Sequence, residues 1–145
     1  MSITNVTDIL TRAQYAIGDQ DAIKYTAANV RDVLILMAVD RWNEEMFQQY
    51  SIAGSGASST FNPVLEDSDI SLFLLFLKLV TAENEKGKAD RDSMVITNPA
   101  GRTDLAQQSQ ALANTIEDLR NEIREKRRIR AGYKEETKMG SNTAF

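Results

Sequence analysis

Residues 103–131 read TDLAQQSQALANTIEDLRNEIREKRRIRA, and the spacing of their apolar residues decides the fold. Leu105, Leu112, Ile116, Leu119 and Ile123 recur with a heptad-like period, so on a helix they fall on one stripe. Thr103 stands where an N-cap is needed and Gly132 where a helix is commonly stopped, which predicts a helix ending at about Ala131. At 1.5 Å per residue it would be roughly 40 Å long, the spine of the domain. Beyond Ile123 the positions that would continue the stripe are Lys126 and Arg130. The last two turns are therefore expected to leave the core and to project into solvent or against another molecule.

The preceding segments supply three more helices. Val6, Ile9, Leu10, Ala13 and Ile17 form an amphipathic stripe, with Asn5 as N-cap, Asp8 at the capping-box position and Gly18 as the stop. A second helix is expected from about Thr26 to Tyr50, carrying Ile35, Val39, Trp42, Met46 and Tyr50. Its stretch Val33–Val39 is apolar nearly all round and so is buried on several sides. A third opens at Asp67 or Ser68 and runs to about Ala89, with Ile70, Phe73, Leu74 and Leu77 in the core. Its most apolar part, Ile70–Val80, falls well short of the roughly 18–20 residues that cross a bilayer, so it reads as a core helix. Residues 51–67, rich in Gly and Ser, show no period and are expected to be a flexible connection. Met94–Thr97 is expected to form a brief strand before a turn at Asn98–Gly101. The fold class expected is all-α: a helical bundle of about four helices over residues 1–131, with a long C-terminal helix and an extended, flexible tail over residues 132–145.

The 145-residue chain has no cysteine and no histidine. Disulfides, thiolate nucleophiles, Ser-His-Asp hydrolysis and His-ligated metal sites are excluded with them. The start of the chain lacks the basic and apolar regions of a secretory signal, so the protein is expected to stay in the cytoplasm where it is made. Gly54-Ser55-Gly56 is not followed by the Lys-Ser/Thr pair of a phosphate loop. Glu66, Asp67 and Asp69 lack the later ligands of a calcium loop and are better explained as complements to a helix N-terminus. Glu44 and Glu45 read as a solvated helix face and Trp42 as a core aromatic. With no catalytic constellation, the chain is read as an interaction protein and not an enzyme, with no cofactor and no metal.

Charge supplies the one functional signal. Residues 120–134 hold seven cations (Arg120, Arg124, Lys126, Arg127, Arg128, Arg130 and Lys134) against Glu122 and Glu125, a net +5. The whole chain is −4, so the remainder carries −9. A solvated helix end explains two or three such cations through the helix dipole, and less easily seven. Two partners fit: an acidic protein surface, or the phosphates of a nucleic acid, whose binding would weaken steeply with salt.

The layout resembles the head-to-tail adaptor (connector) proteins of tailed bacteriophages. The likeness lies in a short helix from Asn5 to Ile17, a long one ending in Trp42-Asn43-Glu44 and Tyr50, a Gly/Ser loop, an apolar third helix, and a long fourth helix running into a basic stretch and a tail that ends at Phe145. It spans most of the chain and is one of arrangement, without a diagnostic motif. The resemblance implies a structural virion protein of the neck region that forms a homo-oligomeric ring of about twelve subunits beneath the portal. It also implies tail or neck proteins and packaged DNA as further contacts, and no membrane. The partner-binding residues it implies are Arg120, Arg124, Lys126, Arg127, Arg128, Arg130, Tyr133, Lys134 and Phe145. The alternative is a helical nucleic-acid-binding module using the same basic helix.

Overall fold

The computed structural model describes residues 3–19, 21–95 and 99–142. The chain is mostly helical with a small antiparallel sheet. The elements are β1 (Ile3–Asn5), α1 (Thr7–Ala16), a single turn α2 (Ala27–Asn29), a π-helical segment (Val30–Leu34), α3 (Ile35–Met46), β2 (Ser51–Ala53), β3 (Thr60–Leu65), α4 (Ile70–Val95) and α5 (Pro99–Asn142). α2, the π segment and α3 follow one another without a break, so the described residues contain the four expected helical runs.

Local chemistry explains where the first runs begin and end. Asn5 caps α1, its side-chain oxygen accepting from the Thr7 amide at 3.0 Å. Gly18 follows with φ +74°, a conformation that costs a residue without a Cβ little. Thr26 accepts from the Asn29 amide at 3.1 Å and starts the second run. That run stops at Phe47, four residues before the sheet and earlier than the expected Tyr50, because Phe47 turns left-handed (φ 54°, ψ 42°).

The link between the first two runs is organised by Asp19, which is buried. Its carboxylate accepts from the amides of Ile23, Lys24 and Tyr25 at 2.7–3.1 Å. Hydrogen bonds from Lys24 and Tyr25, above all, hold its pKa below the usual carboxylate value, against the opposing effect of burial. A folded-state pKa below the unfolded one means that the stabilisation is present above about pH 4 and is lost as pH falls through the folded value. The stability difference between the wild type and Asp19→Asn, from chemical denaturation at pH 6 and pH 3, is expected to narrow on acidification; a constant difference would mean that the charge plays no part.

Three expectations are corrected here. The first is the all-α class: β1, β3 and β2 form a three-stranded antiparallel sheet in that order. The supposed flexible connection 51–67 supplies two of its strands. Gly54 (φ +81°) lies between them, close enough to Ser58 that a Cβ would sit 3.3 Å from its carbonyl oxygen. Pro63 sits inside β3, which argues against a central strand by sequence alone. The register accommodates it: β2 pairs only as far as Asn62, and β1 bulges between its contacts with Thr60 and Leu65. The missing amide falls outside both ladders.

The second correction concerns the spine. α4 fills that place: Ile70, Leu72, Phe73, Leu75, Phe76, Leu77, Leu79, Val80, Thr81 and Ala82 are all buried, so this helix is covered on nearly every side. Thr81 is satisfied there by donating to the Leu77 carbonyl at 2.8 Å. Around α4 pack Ile9 and Ala13 of α1, Ile35, Ala38, Val39 and Trp42 of α3, Phe61 and Leu65 of β3, and Ile116, Leu119 and Ile123 of α5. Trp42 lies at the centre of an aromatic cluster, with ring centroids 5.5 Å from Phe76, 6.1 Å from Tyr50 and 6.3 Å from Phe73.

The third correction concerns the length of the last helix. α5 runs from Pro99, a residue suited to a first helical position, through Gly132 to Asn142. At 1.5 Å per residue this is about 66 Å. One glycine inside a helix costs only about 1 kcal/mol, and the Lys, Glu and Met residues after it are good helix formers. The expected boundary between body and tail therefore falls inside α5. Met94 and Val95, expected in a strand, end α4; Ile96, Thr97 and Asn98 lie outside the described residues.

Candidate docking site

α5 runs antiparallel to α4, and four contacts give the register. Ser109 Oγ donates to Asp90, Arg120 lies 3.7 Å from Glu83, Lys126 Nζ donates to Ser71 Oγ at 2.8 Å, and Arg130 pairs with Asp69. Asp69 belongs to the short 3₁₀ turn that leads into α4. Residues 131–142 of α5 therefore extend beyond the start of its partner helix, by about 18 Å.

The expectation that the basic turns of this helix leave the core is overturned. Where Ile116, Leu119 and Ile123 stop, half-buried Lys126, Arg127 and Arg130 continue the same face, and polar contacts take over from apolar ones. Arg130 grips Asp69 with two hydrogen bonds, Nε to Oδ1 at 2.8 Å and Nη2 to Oδ2 at 3.3 Å. The side chains are 22% and 2% exposed. The guanidinium carbon also lies 5.9 Å from the Trp42 ring centroid, within cation–π range. Neighbouring Tyr50 has its pKa raised, first by burial and then by the charges of Asp69 and Glu66. Arg127 donates to the Glu45 carbonyl at 2.8 Å and so satisfies a carbonyl at the end of α3.

The remaining cations lie nearer the surface. Arg128 pairs with Glu125 one turn away at 2.6 Å, on an exposed face where such a pair contributes little. Arg120 shares Glu83 with Arg41, whose Nη2 sits 2.7 Å from Oε2. Arg124 contacts the Asn121 side chain at 3.4 Å and is exposed. Tyr133 and Lys134 stand on the helical extension, but their side chains and Phe145 lie outside the described residues.

The fold adds a residue that the sequence reading did not single out. Phe47 is 91% exposed, and together with Glu45, Met46, Arg124, Arg127, Arg128, Arg130 and Ala131 it lines a groove of about 410 Å³ between the end of α3 and α5. Its left-handed backbone is usually given to Gly or Asn at a helix end and is strained for a bulky residue. Phe47 and Arg124 are 77 positions apart, so only the packing of α3 and α5 on α4 brings them together.

Among the described residues no group of three or more Asp and Glu side chains is placed to hold a metal ion. No helix among them is long and apolar enough to cross a membrane. No protein-family model matches the chain, and neither a curated protein nor a solved structure does so. What the fold and the site define is a mostly helical protein with an overlong C-terminal helix and an arginine-rich groove beside that helix.

Proposed function

We propose that this chain is a structural virion protein, a head-to-tail adaptor that assembles as a ring beneath the portal of a tailed phage. It docks there through the far end of α5 and the residues after it. The observation that carries the reading is the twelve-residue extension of α5 past its partner helix, since a helix end with no further α4 to pack against invites a second molecule. Two other features support it. Val33 (50% exposed), Leu36 (41%) and Met37 (39%) lie three and four positions apart on the outer face of the second helical run, an apolar strip of the kind that subunit interfaces cover. A ring would also repeat a weak contact many times and gain avidity.

The basic helix contributes less as a free charge than its sequence implies, because Arg130 is held by the buried Asp69, Arg127 by the Glu45 carbonyl, and Arg120 lies 3.7 Å from Glu83. That weighs against the nucleic-acid-binding module. A chain truncated after Ala131 tests the reading. It is expected to keep its melting temperature within a few degrees and to fail to join portal rings made from the same genome. Normal attachment by the truncated chain would overturn the docking role of the extension.

A further inference from the structure

We propose that the groove between the end of α3 and α5 binds a short acidic peptide segment carrying an aromatic or large apolar residue. The proposal rests on the adaptor reading for the protein that supplies such a segment, and adds to it a second contact, at the base of the α5 extension, with its own chemistry. Four arginines and one glutamate line the groove, a net +3. Arg130 is committed to Asp69, and Arg127 has spent a donor on the Glu45 carbonyl. Arg124, whose contact is with the neutral Asn121 side chain, and Arg128, on an exposed pair that solvent screens, are the cations that can turn to a ligand carboxylate. A guanidinium fork suits a carboxylate, with two parallel donors for its two oxygens.

Phe47 supplies the apolar half of the recognition. Its backbone ends α3, but its ring is 91% exposed and buries almost no apolar area in the fold, which leaves it available to a ligand's own apolar group. Met46 stands beside it. Aromatic and arginine side chains together are the residue types that dominate binding energy at protein interfaces.

The surroundings favour a peptide over a nucleic acid. A polynucleotide carries a charge at every residue and needs a continuous basic track, with aromatic rings for successive bases. Here the cations form one cluster. Exposed Asp40 and Glu44 precede the groove residues on α3, and exposed Glu117, Asp118, Glu122 and Glu125 precede or interleave with them on α5. The two helices that form the groove thus carry acids along their preceding turns, which a polyanion following either helix back from the groove would meet. A segment of a few acidic residues ends before it meets them.

The test is titration of the full chain with a fluorescein-labelled peptide that has a central phenylalanine flanked on both sides by aspartates and glutamates. Saturable binding is expected, weakened at least about tenfold by the pair Arg124→Glu and Arg128→Glu, which lie on the surface. Phe47→Asn, which tolerates the left-handed backbone, is expected to weaken it several-fold without lowering the melting temperature, as is replacing the peptide's phenylalanine by alanine. No saturable binding, or unchanged binding by both variants, would overturn the proposal. So would an oligothymidylate that binds more tightly and displaces the peptide, since the groove would then be a nucleic-acid site. Portal attachment separates this proposal from the reading beneath it. Peptide binding without attachment would count against the adaptor alone, and attachment undiminished in both groove variants would count against the groove alone.

Discussion

Replacing Arg130 by Met is expected to destabilise the protein by about 3–5 kcal/mol, because it leaves the buried Asp69 carboxylate without its partner. For a chain of this size the melting temperature falls by roughly 10 °C or more. A change on the surface usually costs within about 0.5 kcal/mol, and exposed Arg124 and Arg128 fall in that class. Arg130, bound to a buried carboxylate, does not. A companion variant separates charge from shape: Arg130→Met combined with Asp69→Leu removes both members of the pair, and replacing a buried pair by apolar residues is often neutral. Recovery of most of the lost stability in the double variant is the expected result. If Arg130→Met alone melts like the wild type, the clamp between α5 and the start of α4 does not contribute.

The second large effect is expected at Trp42. Truncation to Ala should cost about 3–5 kcal/mol, the usual range for emptying a large aromatic site in a core. Trp42 is 1% exposed and packs against Phe73, Phe76 and Tyr50, while its Nε1–H donates to Gln48 Oε1 at 2.6 Å. Since the Arg130 guanidinium lies over the same ring, losses from Trp42→Ala and Arg130→Met should fall short of additive by about 0.5 kcal/mol or more. Simple addition in urea denaturation would show that ring and cation do not interact.

How much of this was legible depended on the length of the signal. Stripes such as Ile9–Ala13 and Ile116–Leu119–Ile123 extend over several turns, and the packing of both helices follows them. The sheet was not legible for a physical reason. β1 and β2 have three residues each, and β3 carries a proline at a place where alternation fails. Its strand character comes from pairing partners about 60 residues away in one case and about ten in the other. The end of α5 was misread because Gly132 suggests a stop, whereas the residues after it continue the helix at small cost.

The site was misread in a more instructive way. Lys126 and Arg130 break an apolar pattern, which in isolation argues for solvent. A carboxylate at Asp69, 61 positions before Arg130, and a hydroxyl at Ser71, 55 positions before Lys126, make the same positions part of the packed face. Phe47 carried no sequence signal at all. It follows a helix in a residue run of ordinary composition, and its exposure is visible only once α3 is packed. Charge counting located the basic surface, but it could not tell which cations the fold had already used.

The proposed docking on a portal ring and not on DNA is tested most directly by the mass of the purified chain mixed with either one. Native mass spectrometry or sedimentation in moderate salt is expected to show the protein joining isolated portal rings in a fixed ratio, without nucleic acid, and remaining unbound when mixed with duplex DNA alone. A stable complex with DNA that dissociates steeply as salt rises, together with no association with portal rings, would contradict the account.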